Sequence, residues 1–245
     1  MKQEIALLVV FLLVFLYDTF MPRKATGAIA SVTIALFAIF TVCCFIWPAG
    51  DAEAFSRMYV TTPVCGMIKN ILNVGVLIVL IQSMSWTNSD AQAPRRGEYY
   101  ELLLLTLFGM YLMISARHFL LFLIGLESAS LPLAAMVAFD KNRYESHEAA
   151  VKYLLTAVFS SAIFMMGLSL VYGLAGTLYF DTIARNLTSQ PSALLIVAMA
   201  FVVAGVGFKL SLVPFHLWTA DVYQGAPTSV TSYLSVISKG CLLYT

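Results

Sequence analysis

The chain alternates between long uncharged runs and short clusters of charged, glycine, proline and amide residues. An uncharged helical run of about 20 residues crosses the roughly 30 Å hydrocarbon core of a bilayer. With the charge clusters as punctuation, the pattern predicts membrane helices over 4–21, 26–48, 66–86, 99–116, 118–139, 149–175, 192–220 and 226–245, the last of them incomplete. Strands do not fit these runs: Tyr153 to Phe180 carries no charge, does not alternate, and is far longer than the about ten residues of a barrel strand. The expected fold is therefore all-α, a polytopic transmembrane helix bundle. Connections such as Thr87 to Gly97 (TNSDAQAPRRG) read as short polar turns rather than domain linkers.

Composition supports the same reading. Of 245 residues, 60% are hydrophobic and 11% charged, more apolar surface than one soluble core hides. The first run, Ile5 to Tyr17, is short enough for a signal peptide. Pro22, Arg23 and Lys24 follow it, however, and the nearby A-x-A triplet, Ala28 to Ala30, lies inside the next apolar run, so a first membrane helix is the better fit. Lys and Arg on alternate sides divide as Arg23, Lys24, Arg95, Arg96, Lys141 and Arg143 against Lys2, Lys69, Arg57, Arg117 and Arg185. That small excess favours the first set as cytoplasmic and the N-terminus as periplasmic.

Four cysteines, Cys43, Cys44, Cys65 and Cys241, lack C-x-x-C spacing and a histidine partner, which predicts packing residues and no metal site. A net charge of +1 without a dense basic stretch gives no basis for nucleic acid binding; the bilayer is the expected surrounding.

The informative charges are those left inside apolar runs, where an ionised group costs several kcal/mol unless paired, hydrated or neutralised. Glu127 lies in FLIGLESASLPL, Lys209 in VGFKLSLVPFHLW and Lys239 in LSVISKGCLL. At 1.5 Å of rise per residue Glu127 sits roughly 14 Å inside its helix, too deep for a short side chain to reach the interface. Lys152, near the start of the sixth run, suits an interfacial anchor as well as a functional role. Pro132 and Pro214 each follow a buried charge by five residues and are expected to break their helices, freeing the carbonyls of Ser128 and Leu210. Broken helices inside a membrane mark transport sites. Gly205 and Gly207 permit close helix approach.

A buried amine suits proton carriage, because burial disfavours its charge and a nearby carboxylate favours it. The bland reading is one Glu127–Lys209 ion pair that locks two helices. His118 starts a helix and His147 lies in a loop; His216, after Pro214, fits either a possible relay or a hydrogen bond to a freed carbonyl. No glycine-rich nucleotide loop, iron–sulfur cysteine set or catalytic triad is present, so no redox chemistry is expected in this chain itself.

The run Gly207 to Pro227, GFKLSLVPFHLWTADVYQGAP, resembles the signature of the antiporter-like membrane subunits of bacterial NADH:quinone oxidoreductase, respiratory complex I, and subunit N more than its relatives L and M. Leu123 to Glu127 (LIGLE), Ala150 to Tyr153 (AVKY), and Ser238 with Lys239 add to the likeness; the first ninety or so residues fit only generally.

The resemblance implies about fourteen transmembrane helices with two inverted five-helix repeats, each with an interrupted helix. Residues 1–98 then form three N-terminal helices, and 99–245 the first repeat, with the seventh helix interrupted and the second repeat missing. It also implies proton translocation through Glu127, Lys209, Lys239 and Lys152, with other membrane subunits of complex I as partners. NADH, FMN, iron–sulfur clusters and quinone are implied for that complex, with none bound by this chain. The inner membrane is the implied location, with the N-terminus outside. A cation/proton antiporter is the rival transport reading, and a structural or truncated remnant the non-transport one.

Overall fold

The computed structural model describes residues 1–20, 28–47, 50–89, 95–188 and 193–245, and side chains for all of these but 187 and 188. The basic pair Arg23 and Lys24 of the charge count lies outside the described residues. Helices α1 (Lys2–Phe20) and α2 (Ile29–Ile46) lead to a short antiparallel hairpin, β1 (Ala52–Ala54) and β2 (Tyr59–Thr61). Then come α3 (Pro63–Thr87), α4 (Arg96–Ile114), α5 (Phe119–Val137), α6 (Tyr144–Ala175) and a short α7 (Phe180–Thr188). The chain continues through α8 (Ala193–Leu210) and α9 (Leu217–Gly225) into one helical run: α10 (Thr228–Ser232), a π-helical stretch (Tyr233–Ser238) and α11 (Lys239–Tyr244).

Local chemistry sets several of these ends. Thr62 caps α3 by accepting the amide of Cys65 at 3.3 Å, with Pro63 in the first turn, where a missing N–H costs nothing. His118 caps α5 through Nδ1, which accepts the Leu120 amide at 3.1 Å. Gly176 ends α6 in the left-handed conformation, φ 69°.

The result is an all-helical membrane bundle. Among the described residues six helices, α1, α2, α3, α5, α6 and α8, are long and apolar enough to cross a membrane, against the eight expected. The two that fall short have physical reasons. Helix α4 carries Arg96, Glu98 and Glu101 in its first turns, and the run after Pro227 is divided by its π-helical stretch. Within the expected span 192–220 lie two separate elements, α8, which ends at Leu210, and the short α9, which begins at Leu217. By contrast α5 runs unbroken through Pro132 to Val137, so the break expected there does not occur.

Helix α4 is the inner post, with Leu103, Leu104, Leu107 and Met110 fully buried. It lies against α5 through facing glycines: a Cβ on Gly109 would fall 2.5 Å from the backbone nitrogen of Ala129, too close for any other residue. Tyrosine hydroxyls tie it to its other neighbours. Tyr99 bonds Ser229 at 2.9 Å, Tyr233 bonds Thr106 at 2.7 Å and Tyr111 bonds Asn73 at 2.6 Å. The outer faces of α1, α2, α6 and α8 carry exposed Leu13, Phe15, Val42, Phe45, Phe159, Met166, Ile196 and Val203. Lipid satisfies such faces and water does not.

Candidate functional site

Helix α6 is the crossbar of the site. Its adjacent serines reach opposite neighbours: Ser160 donates to the Gly205 carbonyl of α8 at 2.8 Å, and Ser161 donates to the Glu127 carboxylate of α5. Gly205 permits the first contact, since a Cβ there would meet Phe164 Cβ at 2.6 Å. Lys209, in the last turn of α8, points back to α5 and donates from Nζ to Ser130 Oγ at 2.7 Å. Ser130 in turn donates to the Leu126 carbonyl at 2.5 Å, leaving its oxygen free to accept the ammonium proton.

Glu127 and Lys209 therefore converge on one face of α5 without forming an ion pair; each is held by a hydroxyl instead. Ser130 stands three residues beyond Glu127, one helical turn along. A small void opens beside Lys209, lined by Ser130, Thr156, Ser160, Ser238 and Trp218 among others, and it is of water size. The direct ion pair of the bland reading is not what these residues form.

The turn that follows α8 begins two residues after Lys209. Ser211 adopts φ 60°, the Leu212 amide returns to the Gly207 carbonyl at 2.9 Å, and Trp218 Nε1 donates to the Phe208 carbonyl at 3.1 Å. Two carbonyls of the helix end, those of Gly207 and Phe208, are thus satisfied inside the protein, as backbone at membrane depth requires. Pro214 lies in this turn.

The other expected residues lie apart. Lys152 bonds Asp221 of α9 and pairs with Glu148 at 2.7 Å, with two-fifths of its side chain exposed. Lys239 sits with Nζ 5.2 Å from the ring centre of Tyr223, while its neighbour Ser238 faces the void. His216 is exposed at the start of α9 and does not line the void. Among the described residues no group of three or more His, Cys, Asp or Glu side chains could hold a metal ion.

A second constellation escaped the sequence reading. Lys69, counted above as a flanking charge, is fully buried and bonded to the Glu4 carboxylate. Its Nζ also donates to Ser115 Oγ at 2.6 Å and lies 5.3 Å from the Tyr111 ring centre and 5.7 Å from that of Tyr59. Lys69 is the single charge in the run from Thr62 to Trp86, with Asn70 and Asn73 on the same side of the helix; that polar stripe was the available signal.

Six apolar spans, a helix that ends one residue after a half-buried lysine, and a carboxylate one turn from that lysine's hydroxyl partner define a polytopic antiporter-like membrane protein. The chain belongs to the NADH:quinone oxidoreductase/Mrp antiporter transmembrane family, whose model matches residues 116–244. Within that family it is a homologue of NADH-quinone oxidoreductase subunit N. It is 47% identical over 244 residues to that subunit from Phocaeicola vulgatus, matching 100% of this chain and 51% of the relative. It is 46% identical over 244 residues to the subunit from Azobacteroides pseudotrichonymphae, matching 99% and 50%. Among solved structures it resembles a chain of respiratory complex I from Thermus thermophilus with bound aureothin. That likeness has a TM-score of 0.80 at 27% identity and covers 99% of this chain and 52% of the other. The chain thus spans about half the length of the relatives it matches.

Proposed function

We propose that this chain is part of a proton-translocating membrane subunit of NADH:quinone oxidoreductase, in which Glu127 and Lys209 form a switchable proton-carrying unit. The observation that carries the reading is that the two charges converge on α5 but are each held by a hydroxyl, with Lys209 lining a water-sized void whose largely apolar wall carries the hydroxyls of Ser130, Thr156, Ser160 and Ser238. A helix clip would favour direct contact. In a transport unit the separation has a use: at an effective dielectric near 20, a Glu–Lys attraction is worth about 4 kcal/mol at 4 Å and about 2 kcal/mol at 8 Å. A displacement of a few ångströms thus changes the hold of the lysine on its proton by about thirtyfold.

In this reading Lys209 takes a proton when Glu127 approaches. It gives the proton up, through the void and Ser238, toward Lys239 when Glu127 withdraws. The α8 turn–α9 segment serves as the interrupted seventh helix, and the Lys152–Asp221–Glu148 group ties α9 to α6 at its edge. Residues 1–98 act as a three-helix N-terminal unit and 99–245 as the first antiporter-like repeat. NADH, FMN, iron–sulfur clusters and quinone act in partner subunits. The N-terminus faces the periplasm: with Lys69 inside the bundle, the count of flanking basic residues is six against four.

The test is Lys209→Ala in the full-length subunit of the assembled complex. The expected result is NADH oxidation with reduced proton translocation. Full pumping by that variant counts against the reading, and failed assembly supports a purely structural role.

A further inference from the structure

The Glu4–Lys69 pair lies in α1 and α3, outside the repeat that holds Glu127 and Lys209. Its surroundings are more elaborate than a helix clip needs. Lys69 has both a carboxylate and a hydroxyl on Nζ, and two tyrosine rings within 6 Å. Around it run Gln3, which bonds Asn70 at 3.3 Å, and Tyr111, which bonds Asn73 at 2.6 Å. Three polar atoms of this group, Gln3 Oε1, Asn73 Nδ2 and the Tyr59 hydroxyl, are buried without a hydrogen-bond partner. Buried polar atoms of that kind call for water.

A surface cleft reaches the same group. It is lined by Gln3, Glu4, Trp47, Asp51 and Thr61 among others, so the Glu4 carboxylate stands between solvent on the hairpin face and the fully buried Lys69. Among the described residues, the charged and titratable groups near the pair include the Met1 amino group, 3.3 Å from Glu4, Asp51 and Lys2 in the cleft, Tyr59 from the hairpin, Cys44 from α2, Cys65 from α3 itself, Tyr111 from α4 and Cys241 from α11.

We infer that Glu4 and Lys69 form a second proton-exchange site, open to solvent through the cleft at the hairpin end of the bundle. In the exchange the Lys69 ammonium passes a proton from Nζ to the Glu4 carboxylate, leaving a neutral amine and a carboxylic acid. Glu4 then releases that proton to a cleft water and returns to the carboxylate. Ser115 recharges the amine by passing its hydroxyl proton to Nζ while taking up a hydrated proton, a hydronium ion that is left as water. Each cycle moves one proton from the Ser115 side of the amine to the solvent of the cleft. The inference rests on the proposed transport function, since a purely structural subunit has no use for the exchange.

The test uses the assembled complex with substitutions in the full-length subunit, and Lys209→Ala measured alongside. Lys69→Arg keeps a cation opposite Glu4 but cannot give up its proton. It is expected to assemble, oxidise NADH and lose proton translocation. The neutral double variant Glu4→Gln/Lys69→Met removes both charges together, and is likewise expected to assemble without pumping. Wild-type pumping by either variant overturns the inference, as does failure of both to assemble, which identifies the pair as a helix clip. If Lys209→Ala loses pumping while Lys69→Arg keeps it, this inference fails and the proposed function stands. If both retain it, both fail.

Discussion

Replacing Gly109 by alanine puts a methyl group where none fits. Its Cβ would lie 2.5 Å from the backbone nitrogen of Ala129 and 2.7 Å from the Gly125 carbonyl oxygen, nearly 1 Å inside ordinary contact. Both neighbours are backbone, so neither can swing aside, and α4 has to move bodily off α5. Overpacking of this kind costs about 1–3 kcal/mol. Gly173, in α6, is the internal control: a Cβ there meets nothing within 4 Å. Both substitutions gain the same helix propensity, about 1 kcal/mol. The difference between them therefore isolates the packing cost, and Gly109→Ala is expected to be less stable than Gly173→Ala by about 1–3 kcal/mol. Thermal unfolding of the two variants in mild detergent, followed by circular dichroism, reads this directly. Because α5 carries Glu127 and Ser130, Gly109→Ala should also impair transport. Equal stability of the two variants would refute the claim that a glycine contact sets the α4–α5 spacing.

Burial holds the His118 imidazole below its ordinary range, and its neutral Nδ1 caps α5. Below about pH 6.5 the unfolded chain binds a proton that the folded chain resists, so stability rises with pH through that window and is lost on acidification. His118→Asn keeps a capping oxygen and is expected to flatten the slope, read as melting temperature at pH 5.5 and 7.5. Tyr233→Phe removes the buried bond to Thr106, whose hydroxyl also reaches the Leu103 carbonyl at 2.7 Å. The expected loss is about 0.5–1.5 kcal/mol in the same unfolding assay.

Hydropathy made the bundle legible because lipid, unlike water, enforces unbroken apolar runs. It failed where short-range geometry decides. The strands Ala52–Ala54 and Tyr59–Thr61 are too brief for a period to register, and their turn rests on positive φ at Phe55, Ser56 and Arg57, three residues without a glycine. Helix α7 was hidden by its polarity: among its described side chains only Ile183 is buried, packed in a small apolar cluster with Val171 and Ala198. Proline spacing alone did not separate a continuous helix from a broken one. Pro132 sits buried within α5, while Pro214 lies in a turn stabilised by the returning Leu212 amide and the Trp218 indole.

At the site, Glu127 and Lys209 stood out because each interrupts an apolar run. Their hydroxyl partners did not, since Ser130 and Ser161 are unremarkable among the serines of a membrane helix. Lys69 was missed for the opposite reason. Seven residues into α3 it reads as an interfacial charge, and its burial depends on Glu4, 65 positions earlier in the chain. Pairing across that separation is a property of the packed bundle.

The most direct test of the Glu127–Lys209 unit is the number of protons translocated per NADH oxidised by the assembled complex carrying Lys209→Arg. Arginine keeps the positive charge opposite Glu127 and does not release its proton. The account predicts that this ratio falls as it does for Lys209→Ala, with NADH oxidation retained. A ratio equal to that of the unsubstituted complex would mean that Lys209 serves only as a fixed charge, and would contradict it.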